Sequence, residues 1–186
     1  MALETEVKIR ITQEDLDRVR ARLTELGAHC LSPRRKEKNI LFDFADRKLE
    51  TCGCAVRLRT YGEKTTLTFK GEIQEDPCFK KREELETSVE DPQALVKVLE
   101  ALGMHICFEY SKFREIYRLS VDQDQAEICL DETPVGTFVE IEGSENTIKA
   151  LASQLGWAPD SFIRRNYVEM YLEQQTAEHR QQTANR

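Results

Sequence analysis

Apolar and polar side chains alternate along several short stretches of the chain, which is the pattern of half-buried β-strands. In residues 3–11, one face of the predicted strand carries Leu, Thr, Val and Ile. The other face carries Glu4, Glu6, Lys8 and Arg10. Such a charged row is either the solvated face of an antiparallel sheet or one wall of a polar interior. This strand alone leaves both interpretations open.

The same alternation predicts seven further strands, at residues 39–44, 55–60, 65–70, 80–89, around 112–117, 126–131 and 137–143. Each has an apolar row, although the facing of residues 80–89 is less regular. Their charged rows contain Arg57, Arg59, Lys70, Arg82, Glu84, Glu86, Lys112, Arg114, Asp131, Glu140 and Glu142.

Apolar residues at helical spacing predict four amphipathic helices between these strands. Thr12, Asp91 and Ser144 are the expected N-caps of the first three, and Asp160 is the expected cap of a fourth that runs through residue 172. Residues 30–38 are rich in Arg and Lys around Pro33 and are predicted to form a basic loop. Residues 174–186 are polar without periodicity and are expected to form a disordered tail, which leaves residues 1–173 as one domain.

Composition restricts the classes of partner. With 34 acidic and 27 basic residues, the net charge of −7 disfavours nucleic-acid binding. The N-terminus lacks a signal region, and no apolar run approaches the ~18 residues of a membrane span. We therefore expect a cytoplasmic protein without a membrane partner.

The six cysteines include one C-x-C and no C-x-x-C, so they are expected to be reduced structural thiols.

The helices decide between the two interpretations of the charged rows. Each amphipathic helix needs an apolar surface, and the outside of a closed barrel provides one. We therefore predict an α+β protein: an eight-stranded antiparallel closed β-barrel with helices packed outside and charged side chains inside. Internal ion pairs could neutralise these charges completely. However, the acids concentrate on the first, fifth and eighth strands and the bases on the third, fourth and sixth, which favours a polyanion and a hard cation, Mg²⁺ or Mn²⁺, as two separate guests.

The spaced motifs together resemble the CYTH superfamily, which includes CyaB-type class IV adenylyl cyclases and thiamine triphosphatases and is also called the triphosphate tunnel metalloenzymes. The resemblance covers about residues 3–172. It implies a triphosphate held by Lys8, Arg57, Arg59, Lys70, Arg82, Lys112, Arg114 and, at the tunnel mouth, Arg165 or its neighbour Arg164. It implies metal binding by Glu4, Glu6, Asp131, Glu140 and Glu142, with catalytic roles for Lys8, Asp131 and Glu140.

The expected function is a divalent-metal-dependent enzyme that cleaves a phosphoanhydride bond of an organic or inorganic triphosphate. One alternative is a class IV adenylyl cyclase that converts ATP to cyclic AMP and pyrophosphate. Another is a polyphosphate-binding module without chemistry, and a third is a structural barrel with internal ion pairs. The expected partner is a small-molecule triphosphate, and the chain is expected to be a monomer or homodimer.

Overall fold

A single antiparallel sheet closes on itself in the computed structural model, which describes residues 2–121 and 123–184. Its strands within that part of the chain are β1 (Ala2–Ile11), β2 (His29–Phe44), β3 (Ala55–Tyr61), β4 (Lys64–Lys70), β5 (Lys80–Ser88), β6 (Met104–Val121), β7 (Asp124–Thr133), β8 (Gly136–Glu142) and the short β9 (Phe162–Ile163).

The barrel is closed by β1, which pairs with two strands at once. The sheet order is β5-β4-β3-β2-β6-β7-β8-β1, and the first half of β1 pairs back onto β5. Glu6 lies at the junction, opposite Lys80 of β5 and Glu142 of β8. The strand β9 adds to β1 opposite Lys8 and Ile9. The predicted eight-stranded closed barrel is thus confirmed, with β9 as an extra strand.

Helices pack around this barrel. They are α1 (Asp15–Glu25), the short α2 (Lys48–Thr51), α3 (Pro92–Ala101), α4 (Glu145–Gln154) and α5 (Tyr167–Ala184), whose first residues also line the barrel interior. Leu23 of α1 and Leu151 of α4 are fully buried in one core with Ile9 and Ile128 of the strands. The apolar rows therefore face the helices, as predicted. No helix in the described ranges is both long and apolar enough to cross a membrane.

The predicted basic loop at residues 30–38 is wrong, because β2 begins at His29 and includes the whole basic stretch. Its ladder with β6 is irregular between Cys30 and Ser32 and between Ser32 and Arg35. These irregularities accommodate Pro33, which has no N–H to donate to a regular ladder. The long β6 supplies the pairing partner that the local sequence does not indicate.

The predicted cap at Asp160 is also wrong. Residues 162–163 form β9, and the final helix begins only at Tyr167. Asn166 supplies the cap: its side-chain oxygen accepts from Glu169 N–H at 3.0 Å, and its own N–H donates to the Glu169 carboxylate at 2.9 Å.

The helix α5 continues to Ala184, whereas a disordered tail was expected from residue 174. The stretch from Tyr167 to Ala184 contains no Gly or Pro and many residues of high helix propensity, which explains the continuation. Residues 185–186 lie outside the described residues. The domain boundary at residue 173 stays a prediction.

Candidate active site in the barrel lumen

The inward side chains of the eight barrel strands enclose a cavity of about 690 Å³, here called the lumen. Strand alternation places every second residue of a strand on this inner face. The structure brings together in the lumen most of the side chains singled out from the sequence, namely Glu4, Glu6, Lys8, Arg57, Arg59, Lys70, Arg82, Lys112, Arg114, Glu140 and Glu142.

Asp131 is in the inward row of β7, opposite Arg114 of β6, although it does not itself border the cavity. It is fully buried, and both carboxylate oxygens are engaged. One accepts from Arg114 Nε at 2.6 Å, and the other accepts from Lys112 Nζ at 2.8 Å, Arg114 Nη2 at 2.5 Å and the Tyr167 hydroxyl at 2.7 Å. With its oxygens occupied, Asp131 orients two basic side chains, and it lies close to Glu140, because Arg114 Nη2 pairs with both carboxylates.

Glu37 is a second buried carboxylate that lies among the basic side chains, opposite Lys112 of β6. It is not among the residues singled out from the sequence. It lies 3.4 Å from Arg59 Nε, 3.5 Å from Lys112 Nζ and 3.8 Å from Arg114 Nε. Burial alone would raise the pKa of Glu37, but Lys112, Arg114 and Arg59 hold it well below its usual value. Glu37 is therefore ionised and fixes these three cations around one point.

Arg57 is a basic lumen residue that forms no ion pair with any carboxylate of the described residues. Among the described residues, its Nε has no hydrogen-bond partner, and its Nη2 lies 3.5 Å from the Thr68 hydroxyl. Burial and the neighbouring Arg59 lower the pKa of Arg57, but a guanidinium stays charged at neutral pH. Arg57 is thus a buried cation with donors available for an anion.

Glu140 lies between Lys8 and Arg114. Lys8 Nζ is 3.0 Å from its carboxylate, and Arg114 makes a close ion pair with it. Lys8 Nζ also donates to the Arg165 carbonyl at 3.2 Å and lies 4.3 Å from the centre of the Tyr167 ring. Burial alone would lower the pKa of Lys8, but the charges of Glu140 and Glu6 outweigh burial and raise this pKa above its ordinary value. Lys8 is therefore charged.

Four carboxylates of the lumen lie close enough to repel one another. They are called the carboxylate cluster below and are Glu4, Glu6, Glu84 and Glu142. Burial and then the charges of Glu4, Glu127, Glu6 and Glu84 raise the pKa of Glu142 to about 8. Burial, opposed by Lys70 and reinforced by Glu6 and Glu84, raises the pKa of Glu4 to about 7. Such crowding is costly without a cation.

Three members of the carboxylate cluster are partly neutralised by lysines. Lys80 Nζ donates to Glu6 at 2.6 Å, and Lys70 makes a close ion pair with Glu84 and lies 3.7 Å from Glu4. No ion pair of Glu142 is formed within the described part of the chain. The oxygen-only donor set of the cluster suits Mg²⁺ or Mn²⁺ and would not suit a thiophilic ion.

Lys80 and Tyr167 also contact the lumen, although the sequence did not single them out. The side chain of Arg165, which was expected there, lies elsewhere. Lys80 shares the inward row of Arg82, so the alternation could have identified it. Tyr167 was assigned to the middle of a helix rather than to its buried start. The Arg165 side chain is 55% exposed and pairs with Glu173, so only its backbone carbonyl contacts the site.

Comparisons with known proteins agree with this architecture. The CYTH domain family matches residues 2–181. A Methanocaldococcus jannaschii protein, provisionally named an adenylate cyclase, is 27% identical over 179 residues, which cover 90% of this chain and 98% of that protein.

Two solved structures show the same fold. A provisionally named adenylate cyclase of Vibrio parahaemolyticus has a TM-score of 0.73 at 19% identity and covers 91% of this chain and 97% of its own. A Hippeastrum protein, provisionally named an adenylyl cyclase and described as having a dominant triphosphatase activity, has a TM-score of 0.61 at 18% identity. That match covers 83% of this chain and 86% of the Hippeastrum chain.

Proposed function

The chain belongs to the CYTH family, and on this premise we propose that it is a divalent-metal-dependent hydrolase of a triphosphate bound in the lumen. One observation carries the proposal. A group of basic side chains fixed by Glu37 and Asp131 shares one enclosed cavity with the carboxylate cluster. Phosphate oxygens suit the first group and a hard cation suits the second.

Internal ion pairing accounts less well for the same residues. Several lumen charges do pair, but the buried Nε of Arg57 has no hydrogen-bond partner among the residues that the structure describes, and Glu142 is surrounded by other carboxylates. Buried charges without partners are costly, and a barrel serving only as a scaffold would gain by replacing them with apolar side chains. A triphosphate and a divalent cation would compensate both at once.

We assign the cation to Glu4, Glu6 and Glu142. Glu140 is a weaker candidate, because Lys8 and Arg114 already bind its carboxylate, and the engaged oxygens of Asp131 argue against its expected role as a ligand. A bound Mg²⁺ or Mn²⁺ would supply positive charge that stabilises the phosphate oxygens during the reaction.

The chain's own contribution to hydrolysis is positioning and charge. The oxygen of water forms a bond to the terminal phosphorus and the water loses one proton to the solvent, the anhydride P–O bond breaks, and orthophosphate and a diphosphate are released. Arg57, Arg59 and Lys112 hold non-bridging oxygens and offset their negative charge. Lys8 remains protonated and stabilises the oxygen on which charge develops. Asp131 keeps Lys112 and Arg114 oriented throughout.

Cyclisation of ATP is the second candidate, and a specific feature favours it. Phe108 and Tyr110 lie in the lumen wall, where an aromatic face could contact a purine. The names of the M. jannaschii and V. parahaemolyticus relatives agree with this reaction, whereas the description of the Hippeastrum protein favours hydrolysis. We place hydrolysis first because the lumen's charged groups need only a triphosphate, a divalent cation and water, and no site for a purine.

The test is a product assay on purified protein with ATP, thiamine triphosphate and inorganic tripolyphosphate, each with Mg²⁺ or Mn²⁺. We expect orthophosphate release from at least one substrate, abolished by a chelator and reduced at least about 100-fold in Glu142→Gln. The matched control is Glu83→Gln, an exposed glutamate whose β5 position faces away from the lumen. It should retain full activity.

Other products would change the assignment. Cyclic AMP and pyrophosphate from ATP would favour the cyclase. Tight tripolyphosphate binding without turnover of any substrate would favour a non-catalytic module, and absence of both binding and turnover would leave only a structural barrel.

A further inference from the structure

Cys52, Cys54 and Glu72 lie together at the rim of the lumen, although they come from two separate connections. Cys52 caps the end of α2, Cys54 precedes β3, and Glu72 follows β4. Ala55 pairs with Lys70 at the start of the β3–β4 ladder, so the antiparallel register continues past the strands and brings residues 52–54 beside residue 72. Their candidate ligand atoms all lie within 4.8 Å of one another.

Gly53 allows both thiols to reach the same place. In an extended strand, residues two apart face one side but stand well separated. Gly53 instead has φ +71°, and a side chain there would be strained. The resulting turn folds Cys54 back, so that its Sγ lies 3.8 Å from the Cys52 carbonyl oxygen. Cys52 and Glu72 are exposed and Cys54 is half-buried, which leaves the group accessible to ions.

We propose that Cys52, Cys54 and Glu72 form a binding site for a thiophilic divalent cation, with Zn²⁺ as the best fit. Two thiolates and one carboxylate are ordinary Zn²⁺ ligands, at about 2.3 Å for sulfur and about 2.0–2.2 Å for oxygen. Such bonds require ligand atoms about 3.3–3.8 Å apart in a tetrahedral arrangement, so the three side chains have to move closer together when the ion binds. Water would complete the coordination.

This site is distinct from the carboxylate cluster in chemistry and position. The cluster offers only oxygens, which hard cations prefer, whereas two thiolates select softer ions over Mg²⁺. Cys54 and Gly53 also line the lumen. Zn²⁺ binding displaces the two thiol protons, so the net charge at the rim of the lumen is unchanged, and the binding site itself does not depend on the proposed function.

The experiment uses the full chain, reduced and freed of metal. Zn²⁺ is titrated against a chromophoric chelator in excess Mg²⁺, and Cd²⁺ is added separately to detect the ultraviolet thiolate-to-metal absorption. We expect one Zn²⁺ per chain, about tenfold or greater loss of affinity in Cys52→Ser and in Cys54→Ser, and a smaller loss in Glu72→Gln. The matched control is Cys30→Ser, which replaces another exposed cysteine in β2.

A second measurement avoids any doubt about folding of the variants. In the unmodified chain, Zn²⁺ should slow alkylation of Cys52 and Cys54, mapped by mass spectrometry, without slowing that of Cys30. Unchanged Zn²⁺ affinity in both serine variants, displacement of Zn²⁺ by Mg²⁺, or unprotected Cys52 and Cys54 would overturn the proposal.

Discussion

At the scale of single residues, Glu142 shows how carboxylates without a bound cation destabilise the folded chain. Its pKa of about 8 lies above the ordinary value of 4.5, so the folded chain holds a proton that the unfolded chain releases. Stability is therefore fully present below the unfolded pKa and is lost as pH rises toward the folded pKa. We expect the melting temperature of the metal-free protein to fall as the pH rises from about 4.5 to about 8.

Glu142→Gln should flatten this dependence, because a neutral amide cannot be forced to ionise among carboxylates. Thermal unfolding followed by circular dichroism across the same pH range measures the difference, with Glu83→Gln as control. Mg²⁺ should stabilise the unmodified protein more at the upper end of the range. If the melting temperatures of the two variants depended equally on pH, repulsion within the carboxylate cluster would not be the cause of the pH dependence.

Arg57 gives a prediction of the opposite kind, on binding rather than stability. Arg57→Gln removes a buried cation that has no carboxylate partner among the described residues, so the melting temperature of the unliganded protein should stay equal or rise. Its affinity for tripolyphosphate should fall about tenfold or more, since a charge-assisted hydrogen bond is lost. Calorimetric titration checks this result.

Arg34→Gln is the matched control for Arg57, because Arg34 pairs with Glu132 on the outside of the barrel. Its tripolyphosphate affinity should be unchanged. A large loss in this variant, with none in Arg57→Gln, would place the anion on the outer basic stretch of β2.

The charged rows were predictable residue by residue because strand alternation is a local property. Glu37 was not, since its role depends on Arg59, Lys112 and Arg114, which reach it from two neighbouring strands. Asp131 was found in the correct row, but its burial under Tyr167 depends on a helix 36 positions later. Local pattern identifies such residues, and only tertiary packing determines what they contact.

At the scale of elements, β2 and α5 show where local pattern is insufficient. The basic residues around Pro33 resemble a loop, yet β6 is long enough to pair with them through an irregular ladder. Phe162 and Ile163 resemble the start of a helix, yet β1 offers Lys8 and Ile9 as partners. In both cases, a partner strand distant in sequence overrides the local preference.

The helix α5 provides the prediction at this scale. Tyr167 and Met170 are buried against the barrel, whereas residues 173–178 are exposed. A chain ending after Glu173 should therefore keep its melting temperature and its tripolyphosphate affinity, which would support the domain boundary at residue 173. A chain ending after Arg165 loses the Tyr167 hydrogen bond to Asp131 and should unfold at a clearly lower temperature.

Differential scanning fluorimetry of the two truncated chains tests this division of α5. Equal destabilisation by both truncations would show that the exposed end of the helix contributes to the fold.

At the scale of the whole molecule, closure of the barrel turns scattered charges into one site. The strand β1 pairs with both β5 and β8. It therefore carries two members of the carboxylate cluster, Glu4 and Glu6, beside the basic Lys8. The sequence predicted this closure from helices that needed an apolar outer surface. It could not predict which charges pair inside, because that depends on the register and shear of all eight strands.

The most direct test is a crystal structure of the protein with Mn²⁺ and a non-hydrolysable triphosphate, with the metal located by anomalous scattering. We predict an anomalous peak bounded by Glu4, Glu6 and Glu142, with the phosphate oxygens on Arg57, Arg59 and Lys112 inside the lumen. A triphosphate bound outside the barrel, or an empty lumen with its ion pairs intact at saturating ligand, would contradict the account.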